Sequence, residues 1–126
     1  MRILFLDDDD RRHKEFRRSA RGHSVDHARS APEAIRLLGS HAYDRVYLDI
    51  DLADDPTEAD LDDYESGRAV ADWLADHALG RHDCLFVVHS RNDAEAPAVL
   101  GLLRSAGLRA IRRRWSWPPD PSEFVR

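Results

Sequence analysis

The sequence predicts an α/β fold: a doubly wound, five-stranded parallel sheet with helices on both faces. Three observations predict it. Short apolar runs alternate with helical patterns along the chain, in the order βαβαβαβαβ, and such alternation implies a parallel sheet with right-handed crossovers. The runs Ile3–Leu6, Val46–Leu48 and Cys84–Val88 are apolar at successive rather than alternate positions, as in strands covered on both faces. Two of the runs end in acids, Asp7-Asp8 and Asp49-Ile50-Asp51, and open α/β sheets place their ligands outside the carboxyl ends of their strands.

The elements follow in order. Residues 2–6 are strand β1. Residues 11–21 are basic, carry Phe16 and Ala20 four apart on one face and precede Gly22, which predicts helix α1 with a glycine C-cap. Residues 24–28 form a short β2, diluted by Asp26 and His27. Ser30-Ala31-Pro32-Glu33 is a capping box with proline in the first turn, so α2 starts there. It carries Ala31, Ile35, Leu38 and Ala42 at helical spacing and ends near Gly39. Residues 45–50 are β3. The stretch 53–66, with seven acids and one proline, buries too little apolar area to fold alone and reads as a long loop. Helix α3 is expected over 67–79, with Val70, Trp73, Leu74 and Ala78 inward and Gly80 as its stop. Residues 84–88 are β4, 93–106 are α4 with Val99, Leu102, Leu103 and Ala106 inward, and 108–112 are β5. The last residues, 115–126, hold Trp115, Trp117 and three prolines without a helical pattern. A single domain over 1–126 is expected, with a core of 1–114 and an irregular tail. For five strands the flavodoxin-like order 2-1-3-4-5 is the common solution, and it sets β1 beside β3.

With 126 residues and 42% hydrophobic content the chain suits one core. The net charge is −5, but cations gather in 11–21 and 109–114 and acids in 7–10 and 49–65, so a polyanionic partner is not excluded. A single cysteine, Cys84, excludes an internal disulfide and fits a reducing compartment. No apolar run reaches 18 residues and the N-terminus has no apolar leader, so no membrane partner and a cytoplasmic location are expected. There is no Walker loop, no glycine-rich dinucleotide fingerprint and no G-x-S-x-G elbow, so those enzyme classes lack support.

The candidate chemistry lies at the strand ends. Asp49 and Asp51 are spaced i, i+2 and share a face of β3. Beside Asp7 and Asp8 they bring several carboxylates to one edge, where like charges repel unless a cation sits among them. Asp7, Asp8, Asp49 and Asp51 are therefore the expected ligands of Mg²⁺ or Mn²⁺, with open positions for water and a phosphate oxygen. Asp9 and Asp10 suit the N-terminus of α1. His89 and Ser90 follow β4 and project over the same crevice; a lone histidine after a buried strand is often structural, but this one is placed to act as general acid or base. Arg112, Arg113 and Arg114 close β5. Only alternate members of such a run can face the crevice, so at least one of the three is expected there, and Arg113 and Arg114, with Ser90, are the phosphate-binding candidates. Trp115 and Trp117 either cover the sheet where a fifth helix is missing or form a stacking platform for single-stranded RNA.

Taken together, Phe5-Leu6-Asp7-Asp8, the β3 acid Asp49, a hydroxyl after β4 and a cation after β5 resemble the receiver domain of two-component response regulators, over residues 1 to about 114. That resemblance implies an acid pair, Asp7 and Asp8, binding Mg²⁺ together with Asp49, the position that accepts a phosphoryl group, and with the carbonyl of Asp51. The chain departs from the common pattern. His89-Ser90 stands for a Thr or Ser followed by a small residue, Arg113 or Arg114 followed by Trp115 for Lys-Pro, Gly67 falls late, and α5 is absent. A divergent branch, the cyclic-phosphate-processing receivers, is more similar: Leu48-Asp49-Ile50-Asp51-Leu52, Val87-Val88-His89-Ser90-Arg91-Asn92 and Arg112-Arg113 match its motifs, with Ile50 where histidine is frequent. This resemblance implies action on 2′,3′-cyclic phosphate ends of RNA, with Asp49, His89 and Ser90 as catalytic residues. Two rival expectations remain: a regulator phosphorylated on Asp49 by a histidine kinase, and a non-catalytic module that binds a protein partner.

Overall fold

The computed structural model describes residues 1–50, 67–90, 93–113 and 119–124. The predicted loop 53–66, Asp51, Arg91, Asn92, Arg114, Trp115 and Trp117 lie outside the described residues. Five parallel strands, β1 (Arg2–Leu6), β2 (Ser24–Ala28), β3 (Arg45–Leu48), β4 (Leu85–His89) and β5 (Arg109–Arg113), form one sheet in the order β2-β1-β3-β4-β5. Helices α1 (Asp10–Ser19), α2 (Ala31–Ser40), α3 (Gly67–Asp76) and α4 (Ala96–Ser105) cross between them. The expected topology is the observed one. Among the described residues, β5 is followed only by a 3-10 turn, Pro121–Phe124.

Local chemistry sets the element ends. The Asp9 carboxylate caps α1 by accepting from the Arg11 and Arg12 amides, and Arg17 and Arg18 in the last turn complement the helix dipole. Ser30 caps α2 by accepting from the Glu33 amide at 3.3 Å. Helix α4 begins at Ala96, later than the expected residue 93, because Pro97 is tolerated only in a first turn. It ends where Gly107 adopts φ 83°, which lets the Leu108 amide bond back to the Leu103 carbonyl at 3.1 Å. Helix α3 stops at Asp76 rather than residue 79: the His77 amide bonds to Leu74 and Arg81 Nε donates to the His77 carbonyl, closing the helix end early. Strand β3 is two residues shorter than expected. The Asp49 amide still reaches the Leu6 carbonyl, but the Ile50 carbonyl turns away to accept from Gly67.

Strand alternation divides the core into two. On one face Leu4, Leu6, Val46, Leu48, Phe86 and Val88 meet α2, α3 and α4. On the other, Ile3, Phe5, Tyr47 and Val87 meet Phe16 of α1 and Ala20 at its C-cap. Phe124 of the 3-10 turn packs edge-on against Phe16 and Tyr47 and covers sheet that a fifth helix would otherwise cover. Burying its ring contributes about 2 kcal/mol. The turn is fastened by Glu123, whose carboxylate meets Arg113 and the Tyr47 hydroxyl and whose carbonyl accepts from Arg45. The parallel registers Leu6↔Leu48 and His89↔Arg113 bring the ends of β1, β3, β4 and β5 to one edge.

Candidate metal centre and its histidines

Asp7, Asp8 and Asp49 converge at that edge. Each offers one carboxylate oxygen, and these oxygens all lie within 4.8 Å of one another. Asp7 and Asp49 continue the strand face that carries Phe5 and Tyr47, Asp7 is fully buried, and Asp49 is 4% exposed. Burial raises the Asp7 carboxyl above the usual carboxylate range, against the lowering effect of the Asp9 amide at 2.9 Å and of Arg12. Arg12 Nη1 lies 3.4 Å from Asp7 Oδ2. Among the described residues, Arg12 pairs with Asp7 where three acids converge. The donor set is all oxygen and compact, which fits a hard divalent cation such as Mg²⁺ or Mn²⁺.

Gly67 sets the floor. A Cβ there would meet the Asp49 carbonyl oxygen at 2.2 Å and Ile50 Cα at 2.8 Å, so only glycine lets α3 start against the end of β3.

His89 ends β4 on the same face as Asp7. Its ring stacks on Phe5 at 5.2 Å, its Nδ1 lies 4.0 Å from Asp7 Oδ2, and it hydrogen-bonds the Leu6 carbonyl. Burial depresses its pKa to about 3. The ring is therefore neutral at pH 7; one nitrogen donates to Leu6 and the other carries a lone pair. Ser90 lies at the edge of burial, and its carbonyl accepts from Arg112 Nη2 at 2.9 Å. The same guanidinium pairs with Asp93 at 2.8 Å. Arg113 turns to Glu123 at 3.4 Å. So the structure gathers Asp7, Asp8, Asp49 and His89, places Arg112 and Arg113 on carboxylates of their own, and has Arg12 as the cation against the acids. Asp51 and Arg114 lie outside the described residues.

Two features escaped the sequence reading. One is Arg12, one of many cations in the basic helix. The other is a histidine relay behind the acids. His13 Nε2 donates to the Asp7 carbonyl at 2.7 Å, so its Nδ1 accepts, at 2.6 Å, from Nδ1 of His27 on β2. The available signal was phase, since His13, Phe16 and Ala20 fall on one helical face.

The histidines make stability depend on pH. Burial lowers His27 to about 4, helped by His13, Arg17 and Arg29 and opposed by Asp26; His89 faces Arg12, His13 and Asp7. Their contribution is fully present above the unfolded value of about 6.5. It is lost as pH falls toward the folded values, by at most ~1.4 kcal/mol per pH unit for each ring. Asp7, raised by burial, works the other way, but it is one group against three, since burial lowers His13 as well. The urea midpoint should therefore drop clearly between pH 7 and pH 5; an unchanged midpoint would contradict this burial.

Residues 2–105 match the family described as the cyclic-phosphate processing receiver domain. The chain belongs to that family. No curated protein matches it. Solved structures similar to this cyclic-phosphate processing receiver include response regulators and a receiver domain protein. The response regulator TrrA from Thermotoga maritima, in complex with Mg²⁺ and BeF, superposes with TM-score 0.64 at 20% identity, over 93% of this chain and 90% of that one. A CheY-like receiver domain protein from Methanospirillum hungatei gives 0.65 at 19%, over 98% and 86%. A response regulator from Burkholderia pseudomallei, with a phosphorylated aspartic acid, a calcium ion and citrate, gives 0.64 at 18%, over 98% of this chain. The chain spans only 63% of the length of that protein. At these identities the likeness establishes the receiver fold. Among the described residues no helix is long and apolar enough to cross a membrane.

Proposed function

We propose that this receiver-family chain is a metal-dependent enzyme that opens 2′,3′-cyclic phosphate ends of RNA. The observation that carries the reading is the meeting of Asp7, Asp8 and Asp49 with a buried neutral histidine, His89, on one face of the sheet, in a chain of the cyclic-phosphate processing family. Mg²⁺ or Mn²⁺ held by Asp8 and Asp49, with Asp7 in support and Asp51 as a further ligand, would supply Lewis-acid polarisation of a phosphate oxygen. The remaining work falls to the chain. A neutral His89 can take the proton of the attacking water as the water oxygen bonds to phosphorus, and the imidazolium so formed, made strongly acidic by burial, can return that proton to the ribose oxygen that leaves as the ring opens. Phe5 and the Leu6 carbonyl hold its ring in place. Ser90, Arg113 and Arg114 are assigned to the phosphate; for Arg113 this requires release from Glu123.

The test is an end-group assay on a short RNA ending in a 2′,3′-cyclic phosphate, with Mn²⁺ or Mg²⁺. Wild type should open the ring, and His89→Ala should lose at least a hundredfold in rate, the low end of what general-base catalysis supplies. An RNA end untouched by wild type refutes the proposal. A second reading, phosphoryl transfer to Asp49 from a histidine kinase or small phosphodonor, draws on the Burkholderia neighbour, which carries a phosphorylated aspartic acid. A stable gain of one phosphoryl mass on Asp49 would favour it.

A further inference from the structure

Helix α1 starts at the acid cluster and runs away from it. Its buried face is spent on the core through His13, Phe16 and Ala20. Lys14, Arg17 and Arg18 stand at i, i+3 and i+4, and Arg21 continues the row in the turn beyond the helix. All four are exposed. The arginines around them are engaged: Arg2 with Asp26, Arg11 with Glu15, Arg12 with Asp7 and Asp9, and Arg29 with Asp10. Among the described residues no carboxylate pairs with Lys14, Arg17, Arg18 or Arg21. Four exposed cations in a row, with no ion pair among the described residues, form a local positive field on a chain of net charge −5.

We propose that Lys14, Arg17, Arg18 and Arg21 are a track for the phosphate backbone of the single-stranded RNA whose end occupies the acid cluster. The proposal rests on the function proposed above for the substrate's identity as RNA, since a 2′,3′-cyclic phosphate needs a ribose 2′-hydroxyl. The geometry supplies the rest. The row begins one helical turn past Asp10, runs about 6 Å from Lys14 to Arg18 at 1.5 Å per residue and continues at Arg21, so a strand held by its end at the cluster can lie along it. An anionic membrane suits the row less well. A helix that lies on lipid presents an apolar face, and here that face is in the core. A row that binds backbone reads no sequence, so it extends affinity to RNA ends of any sequence.

The experiment compares wild type with two triple variants, Lys14→Glu/Arg17→Glu/Arg18→Glu and Lys14→Gln/Arg17→Gln/Arg18→Gln. Thermal melts check that each is folded, and the glutamine set carries the comparison if the glutamate set is not. Binding of a fluorescent ten-nucleotide RNA is read by anisotropy, which needs no chemistry. Turnover of cytidine 2′,3′-cyclic monophosphate, too small to reach the row, is read separately. Four phosphate contacts give a salt slope of about −3, or roughly fiftyfold weaker binding at 200 mM than at 50 mM salt. The folded variants should bind the RNA at least tenfold more weakly with a flatter slope, and turn over the mononucleotide as wild type does. Equal RNA binding by wild type and variants overturns the track. So does wild-type binding to phosphatidylglycerol vesicles without binding to RNA. Failure of wild type to open the ring on both the mononucleotide and a cyclic-phosphate-ended RNA refutes the proposed reaction instead, and the anisotropy result still decides whether the row binds RNA.

Discussion

Asp49→Asn should abolish the stabilisation of this protein by Mg²⁺ while raising the melting temperature of the metal-free form. The two effects have one cause. Asp7, Asp8 and Asp49 bring carboxylate oxygens within 4.8 Å of one another, and burial raises Asp7. Without a cation, this arrangement costs folding free energy. An amide in place of one acid relieves the repulsion and removes a charged ligand. At ten times its Kd an ion contributes about 1.4 kcal/mol to wild type, or about 4–6 °C in a chain of this size. Loss of outer partners of a metal ligand already costs about 10–100-fold in affinity, so loss of a ligand should cost at least the upper figure. Differential scanning fluorimetry with and without 10 mM Mg²⁺ checks both signs. A variant that melts lower than wild type without metal would mean that Asp49 is a structural acid satisfied by its surroundings. A preserved Mg²⁺ shift would remove it from the ligand set.

The parts of this site that were legible in the sequence share a physical origin. An apolar run covered on both faces cannot carry acids until it leaves the sheet, so Asp7 and Asp49 mark the ends of β1 and β3, and the strand order makes those ends neighbours. His89 was legible for the same reason. Arg12 was not, because a basic helix contains many arginines, and only the cap at Asp9 fixes the rotation that turns this one back to Asp7. The His13–His27 bond was not, because it joins a helix to an edge strand and depends on their packing. The β5 cations were legible as cations but not as partners. Arg112 is claimed by Asp93 and the Ser90 carbonyl, and Arg113 by Glu123 in a turn ten residues on, and periodicity reports nothing of such pairings.

Gly67→Ala should destabilise the protein and Gly101→Ala should stabilise it, although both glycines lie in helices and both changes add one methyl group. Intrinsic propensity favours alanine by about 1 kcal/mol at an interior helix position. At Gly101, on the exposed side of α4, a new Cβ meets nothing within 4 Å, so that gain stands undiminished. At Gly67 the Cβ would lie 2.2 Å from the Asp49 carbonyl oxygen, 2.8 Å from Ile50 Cα and 3.0 Å from the Asp49 carbonyl carbon. All three are backbone atoms, so no side chain can rotate away; α3 must lift from the end of β3 and stretch the bond from the Gly67 amide to the Ile50 carbonyl. Overpacking of this kind costs about 3 kcal/mol; Gly67 is the first residue of α3, where the propensity gain is at most the interior figure of about 1 kcal/mol, so the net loss is at least about 2 kcal/mol, roughly 6–10 °C in melting temperature. The displaced backbone carries Asp49, so the Mg²⁺-induced shift should shrink in Gly67→Ala and stay intact in Gly101→Ala. If both variants kept the full shift, the approach of α3 to β3 would matter for folding alone. A reduced shift in Gly67→Ala, with all three carboxylates still present, would show that the cluster depends on a glycine that offers it no ligand.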